Sequence, residues 1–251
     1  MKLKENKGMN LIIDAGNTIV KLSVFEVDMF ICVSKITREN IAKEIQKLLK
    51  TYPKINKAIC SSVSQLDRSE LISALKAIPI TFLSYKTPIP FTNLYSTPNT
   101  LGVDRIALMA AAVIQFPKQN VLVIDAGTCI TYDFLNANTE YFGGSIAPGL
   151  QLRYKSLNDY TANLPLLLPK YAEKLIGNST ENAIHSGVSN GLIAEISGVI
   201  EQFSNNYKFL VVILTGGDAN FLSKRLKSSI FVDPNFLLHG LNYILEYNID
   251  K

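Results

Sequence analysis

The spacing of apolar positions along the chain switches repeatedly between a period of two and a period near four. "LIID" (11–14) is a solid apolar run closed by an acid, and after a glycine turn "VKLSVF" (20–25) alternates apolar with polar residues. Together these predict two strands joined by a tight turn, and "MFICVSKI" (29–36) adds a third. "RENIAKEIQKLLKTY" then places Ile41, Ile45, Leu48 and Leu49 on one helical face. "KAICSSV" reads as a short buried strand, "SELISALKA" as a helix and "ITFLS" as a strand. Strands alternating with helices predict an α/β layered fold.

From Thr87 to Asn99 the chain is rich in proline and polar residues, a long loop of the kind that carries function. It leads into a helix beginning near Gly102, with Ile106, Met109, Ala110 and Val113 on its apolar face. At Val121 the opening grammar returns: "VLVIDAGTCITYDFL" repeats the strand, turn and strand of "LIIDAGNTIVKLSVF", and the two D-A-G triplets align. A boundary near Pro117 and Lys118 follows, giving domains 1–117 and 118–251. In the second, "NSTENAIHSGVSNGLIAEISGVIEQF" carries Ala183, Gly187, Gly191, Ala194 and Gly198 as a smooth helical stripe. That stripe packs either against its own domain's sheet or against a twofold mate. "FLVVILTGGDANFLSKRL" reads as strand, glycine pair and helix, and "FLLHGLNYILEYN" as a closing helix.

Composition narrows the class more than it names a function. With 251 residues, 47% hydrophobic and 18% charged, the chain builds one large or two modest globular domains. Its net charge of +4 is spread without a dense basic block. No nucleic-acid partner is called for, and no basic recognition helix stands out. Cys32, Cys60 and Cys129 have neither disulfide nor zinc spacing, which fits a reducing, cytoplasmic setting. No run approaches the ~18 apolar residues of a membrane span. The first nine residues read as a frayed prefix.

The paired turns have the chemistry that phosphate groups require. Gly16 and Gly127 clear space where an oxygen must approach backbone amides, and Thr18 and Thr128 add hydroxyl donors. Asp14 and Asp125 are placed to hold Mg²⁺, directly or through water, or another cation, and Lys21 brings a point charge. D-A-G is also ordinary turn chemistry, but two copies, each after a buried strand and each followed by threonine, argue for a shared task. The P-loop spacing is absent, and strand–turn–strand is not a Rossmann fingerprint. "LTGGDAN" (214–220) offers a glycine surface and helix amides to the same ligand.

As a set, "DAGNTIVK" (14–21), "LGVDR" (101–105), "DAGTCITYD" (125–133), "GGSIAPG" (143–149) and "TGGDA" (215–219) resemble, in order and spacing, type III pantothenate kinase. "LNDYTANLP" and "NSTENAIHSGVSNG" extend the resemblance. That family belongs to the actin, heat-shock chaperone and sugar-kinase superfamily. The resemblance implies two duplicated ribonuclease H-like (actin-like ATPase) domains with an interdomain nucleotide cleft. It also implies ATP-dependent phosphorylation of pantothenate, which opens coenzyme A synthesis. It lays the ATP-phosphate segment on Asp14, Ala15, Gly16, Asn17, Thr18, Ile19, Val20 and Lys21, with a second ATP contact at Thr128. A monovalent cation, K⁺ or ammonium, falls on Asp125; Mg²⁺ is the default divalent ion. Pantothenate contacts fall on Tyr95, Gly102, Val103, Asp104, Arg105 and Thr180, and the proton acceptor is Asp104. Cys129 stands where the family pattern leads one to expect alanine. A homodimer is implied, with the pocket completed near the subunit interface.

Several positions keep a second reading on the residues alone. Asp104 is a helix-capping acid as well as a candidate base. Arg105 steers a phosphoryl group or the pantothenate carboxylate, or forms a surface ion pair. Tyr95 closes over substrate or is a packing group, and Thr180 binds substrate or caps its helix. Asp133 supports the site from behind or forms a turn. His185 and His239 read as structural, and Cys129 as a small buried hydrophobe. The competing functions are another small-molecule kinase, for a sugar or acetate, and a nucleotide-dependent regulator or scaffold on the same fold.

Overall fold

The computed structural model describes residues 8–16, 18–62, 66–227 and 229–249. Two compact units emerge: residues 1–115 with 236–251, and residues 116–235. Asn17 and residues 1–7 of the expected prefix lie outside the described residues, whereas Met9 already opens the first strand.

Unit 1 is built on β1 (Met9–Ala15), β2 (Val20–Glu26), β3 (Met29–Ile36), β4 (Ile55–Ser62) and β5 (Ile80–Phe82), in the order β3-β2-β1-β4-β5. The first three strands form an antiparallel meander, and β4 and β5 run parallel to β1. Period-two alternation splits β1 between two faces. Leu11, Ile13 and Ala15 enter a core with Ile41, Ile45 and Leu48 of α1 (Ile41–Thr51) and Leu71 and Leu75 of α2 (Arg68–Leu75). Asp67 caps α2, its carboxylate accepting from the backbone N–H groups of Ser69 and Glu70. The loop after β5 holds a two-residue strand, β6 (Thr92–Asn93), and a 3₁₀ turn at Pro98–Thr100, then runs into α3 (Val103–Gln115).

The expected division at 118–251 is corrected at its C-terminal end. Helix α8 (Phe236–Tyr247) belongs to unit 1, where it packs along α3. Asn10 of β1 donates to Asn242 Oδ1 at 2.9 Å and to Glu246 Oε1 at 2.7 Å, and Asn242 donates to the Val27 carbonyl at 2.8 Å. Buried amides left unpaired are costly, so these bonds fix the helix on the opposite face of β1. At the crossing, a Cβ on Gly240 would lie 1.8 Å from the Ala107 carbonyl oxygen. Gly240→Ala is therefore expected to force the helices apart at a cost on the order of 1–3 kcal/mol, outweighing alanine's helix preference. A lowered melting temperature in a thermal scan is the check.

Unit 2 contains β7 (Val121–Ala126), β8 (Cys129–Leu135), β9 (Glu140–Pro148), β10 (Val211–Thr215) and β11 (Phe231–Val232), with α7 (Ala219–Ser223) following β10. Its strands follow the order β11-β10-β7-β8-β9, with the same directions as in unit 1: an antiparallel meander plus two parallel strands beyond its first strand. Leu122, Ile124 and Ala126 pack against Leu150 and Tyr154 of α4 (Leu150–Asp159) and Leu192, Ile196 and Ile200 of α6 (Gly191–Asn206). The helix expected over 178–203 begins as α5 (Thr180–His185), passes through a π-helical segment, Ser186–Asn190, and continues as α6. Its apolar side faces the core, while Ala183, Gly187, Gly191 and Ala194 are exposed. A Cβ built on Gly187, Gly191 or Gly198 meets nothing within 4 Å, so the smooth stripe does not pack on its own sheet. Among the described residues no helix is long and apolar enough to cross a membrane.

Candidate active site

In unit 1 the β1–β2 turn delivers Asp14 and Lys21 as register partners at the mouth of the hairpin. Thr18 and Ile19 are exposed at its tip, and Arg38 donates to the Gly16 carbonyl at 3.0 Å, a brace that the sequence reading missed. Asp14 is desolvated at the end of its strand. Burial pushes its carboxyl up to about 6; Lys21 pulls the other way and the negative charge of Asp104 adds to the rise. Lys21 and Asp104 are thus each within electrostatic reach of Asp14, although Asp104 lies 90 residues further along the chain.

Asp104 stands in the first turn of α3, and its Oδ1 accepts from the Arg105 backbone N–H at 2.8 Å. The carboxylate folds back across Gly102, where a Cβ would lie 2.4 Å from Oδ1. Capping and an active-site position are therefore compatible readings of Asp104. Arg105 is 5% exposed, and its guanidinium lies 5.4 Å from the ring centroid of Tyr95, which is half-buried in the long loop. This is cation–π geometry on a buried side chain, not on a surface one. Val103 and Gly102 are half-buried beside it.

In unit 2 the second turn is clamped by two glycines. A Cβ on Gly149, which precedes α4, would lie 2.0 Å from the Gly127 carbonyl oxygen, and Gly149 donates to the Thr128 carbonyl at 3.0 Å. Gly216 has φ +93°, a conformation open to glycine, and a Cβ there would lie 2.4 Å from Asp125 Oδ1. Asp218 donates its backbone N–H to the Ala126 carbonyl at 2.9 Å, so "TGGDA" folds directly over "DAGT". Burial raises the Asp218 carboxyl above its usual range. A Cβ on Gly127 itself would meet nothing closer than 3.9 Å, so the fold does not require glycine there. What that glycine provides is open space beside the exposed Thr128. Asp125 is flanked in register by Thr131 on β8 and Thr215 on β10.

Other expectations are redirected. Thr180 is exposed at the first position of α5, and the cap is Ser179, whose hydroxyl accepts from the Asn182 N–H. Cys129 is exposed rather than a buried hydrophobe. Asp133 sits inside β8, 0% exposed, accepting from the Tyr141 hydroxyl at 2.7 Å, and forms no turn. His185 is structural, its Nδ1 2.8 Å from the Tyr154 hydroxyl, and His239 packs edge-on against Phe25.

Among the described residues no group of three or more His, Cys, Asp or Glu could cage a metal ion. The site instead suits a cation carried mainly by phosphates and water, with one or two carboxylates completing its shell. The desolvated Asp14, charged against Asp104, fits a divalent ion of this kind. The buried Thr131 Oγ1, which has no hydrogen-bond partner among the described residues, fits a cation beside Asp125.

The strand order and turn chemistry define an actin-like ATPase fold. Glucokinase from an Antarctic psychrotroph has this fold: it aligns with a TM-score of 0.55 at 12% identity, covering 96% of this chain and 99% of its own. Within that class, the family model for Type III pantothenate kinase matches residues 10–202, and the chain belongs to this family. The Type III pantothenate kinase of Flavobacterium johnsoniae is 46% identical over 97% of this chain and 100% of its own. That of Christiangramia forsetii is 49% identical over 96% and 99%, respectively.

Proposed function

We propose that the chain transfers the γ-phosphoryl group of ATP to the hydroxyl of pantothenate, the entry reaction of coenzyme A biosynthesis, with Asp104 accepting the hydroxyl proton. The observation that carries the residue assignment is the electrostatic proximity of Asp104 to Asp14, on the phosphate turn of the same unit. Phosphoryl transfer passes through a loose transition state, so positioning and charge neutralisation dominate, and a carboxylate that takes the proton late suffices. The turn from Asp14 to Lys21, including Asn17, binds the ATP phosphates, with Thr128 as a second contact. Mg²⁺, when bound with ATP, neutralises phosphate charge beside Asp14. The same strand order in both units supports reading them as duplicated actin-like domains.

Tyr95 and Arg105, already stacked, wall the pantothenate site with Gly102 and Val103. Asp125 takes the monovalent cation. The exposed small-residue stripe from Ala183 to Ala194 is the homodimer face, and Thr180, one helical turn before it, reaches substrate from there. The protein works in the cytoplasm, in keeping with three free thiols.

The test is ATP-dependent formation of phosphopantothenate by the purified protein, with K⁺ or Na⁺ as sole monovalent cation. Product is expected in K⁺ and a large loss in Na⁺; Asp125→Ala is expected to flatten that difference and weaken nucleotide binding. Nucleotide binding without product in either salt would overturn the acceptor assignment. An unchanged K⁺ response in Asp125→Ala would move the cation elsewhere.

A further inference from the structure

Next to Asp14 the sheet of unit 1 buries a hydroxyl that nothing in the proposed chemistry yet uses. Ser61 is the register partner of Asp14 across the parallel β1–β4 ladder. Side chains of such partners leave the same face of the sheet, on strands about 4.8 Å apart. Lys21 flanks Asp14 from the other side, on β2. Ser61 is 1% exposed, and its Oγ has no hydrogen-bond partner among the described residues. A buried hydroxyl in that state costs stability that an alanine would not, so its presence calls for a task performed when ligand is bound.

Two comparisons inside the molecule sharpen this. Ser23 on β2 is a second hydroxyl of the same kind, 0% exposed and without a partner among the described residues, but it is paired with Ile12 instead of Asp14. In unit 2, Asp125 has Thr215 at the equivalent place on its own parallel neighbour β10, 2% exposed. Both turn aspartates are therefore flanked by a buried hydroxyl from the inner parallel strand.

We propose that Ser61 is a positioning residue for Asp14: with nucleotide bound, its hydroxyl turns to donate a hydrogen bond to the Asp14 carboxylate and fixes which oxygen faces the ligand. This deepens the kinase reading and rests on it. One rotation about the Ser61 Cα–Cβ bond turns the hydroxyl toward the neighbouring strand, and a bond to an ionised carboxylate is of the strong, charge-assisted kind. Ser61, almost wholly buried, acts through Asp14 without touching substrate.

The experiment compares full-length Ser61→Ala, Ser61→Thr and Ser23→Ala with wild type. It measures kcat and KM for pantothenate, the calorimetric affinity for a non-hydrolysable ATP analogue with Mg²⁺ and with EDTA, and the melting temperature. Ser61→Ala is expected to lose about 10–100-fold in kcat, the scale of a hydrogen bond to a charged group, with KM for pantothenate within about twofold. Its Mg²⁺-dependent gain in analogue affinity is expected to shrink about tenfold, with EDTA affinity unchanged and melting temperature equal or higher. Ser61→Thr is expected to restore most of the loss, and Ser23→Ala to match wild type in kinetics and binding. Wild-type kcat and Mg²⁺ gain in Ser61→Ala would overturn the proposal. So would equal losses in Ser23→Ala, or a loss in Ser61→Ala that comes with a lowered melting temperature and is not restored by threonine. If the wild-type protein makes no phosphopantothenate, the kinase reading fails on its own, and the calorimetric comparison still decides the role of Ser61.

Discussion

Asp104→Asn is expected to lower kcat by about 10²-fold or more, the usual scale for a lost general base, while nucleotide affinity stays within a few-fold of wild type. The amide keeps the shape of the side chain, and its Oδ1 still accepts from the Arg105 N–H, the bond that holds the carboxylate at 2.8 Å in the first turn of α3. The helix start therefore survives, and the loss isolates proton acceptance from capping. Steady-state turnover and equilibrium binding of an ATP analogue, measured on the same preparation, check both halves. Turnover near wild type would leave Asp104 as a cap alone.

Asp14→Asn is expected to act in opposite directions on activity and stability. Activity falls by about 10²–10³-fold, the scale of removing one preorganised electrostatic group from a phosphoryl-transfer site. Stability of the ligand-free protein rises. The Asp14 carboxyl is pushed up from 3.8 to about 6, first by burial and then by Asp104, against the pull of Lys21. An acid with a raised folded-state value binds its proton more tightly in the folded state than in the unfolded state. The stability it contributes is therefore present at low pH and is lost as pH rises from about 4 through about 6. Above that window the ionised carboxylate costs at most about 3 kcal/mol, at about 1.4 kcal/mol per pKa unit. Asparagine removes this cost, so the melting temperature of Asp14→Asn should exceed wild type at pH 8, with the difference vanishing near pH 4. A difference that is flat with pH would mean Asp14 does not titrate in this window.

Elements were legible in the sequence where the signal is local. The alternation of 20–25 and the helical spacing of 41–49 report on neighbours a few residues away, and β2 and α1 formed there. The two turns were legible for the same reason, since Asp, Gly and Thr at fixed offsets are a local arrangement. What escaped depends on partners far along the chain. The placement of α8 in unit 1 rests on Asn10 and Asn242, 232 residues apart. The pairing of Ser61 with Asp14 rests on a parallel register, which no turn specifies and which a single-residue slip would reverse. Thr180 and Ser179 show the narrowest margin: both are hydroxyl residues at a helix start, and backbone geometry gave the cap to Ser179.

The return of α8 to the first unit also sets an order of events during synthesis. Strand β1 is made well before α8, and the amide of Asn10 waits for Asn242 and Glu246, 232 and 236 residues further along. The sheet of unit 1 therefore leaves the ribosome without the helix that packs on β1 and β4, and it waits until α8 has been made. The intervening unit, continuous in sequence from 116 to 235, has all its strands in hand earlier. Unit 1 would then complete its folding after unit 2, and the nascent chain's period of aggregation risk is longer for the unit that carries Asp14 and Asp104.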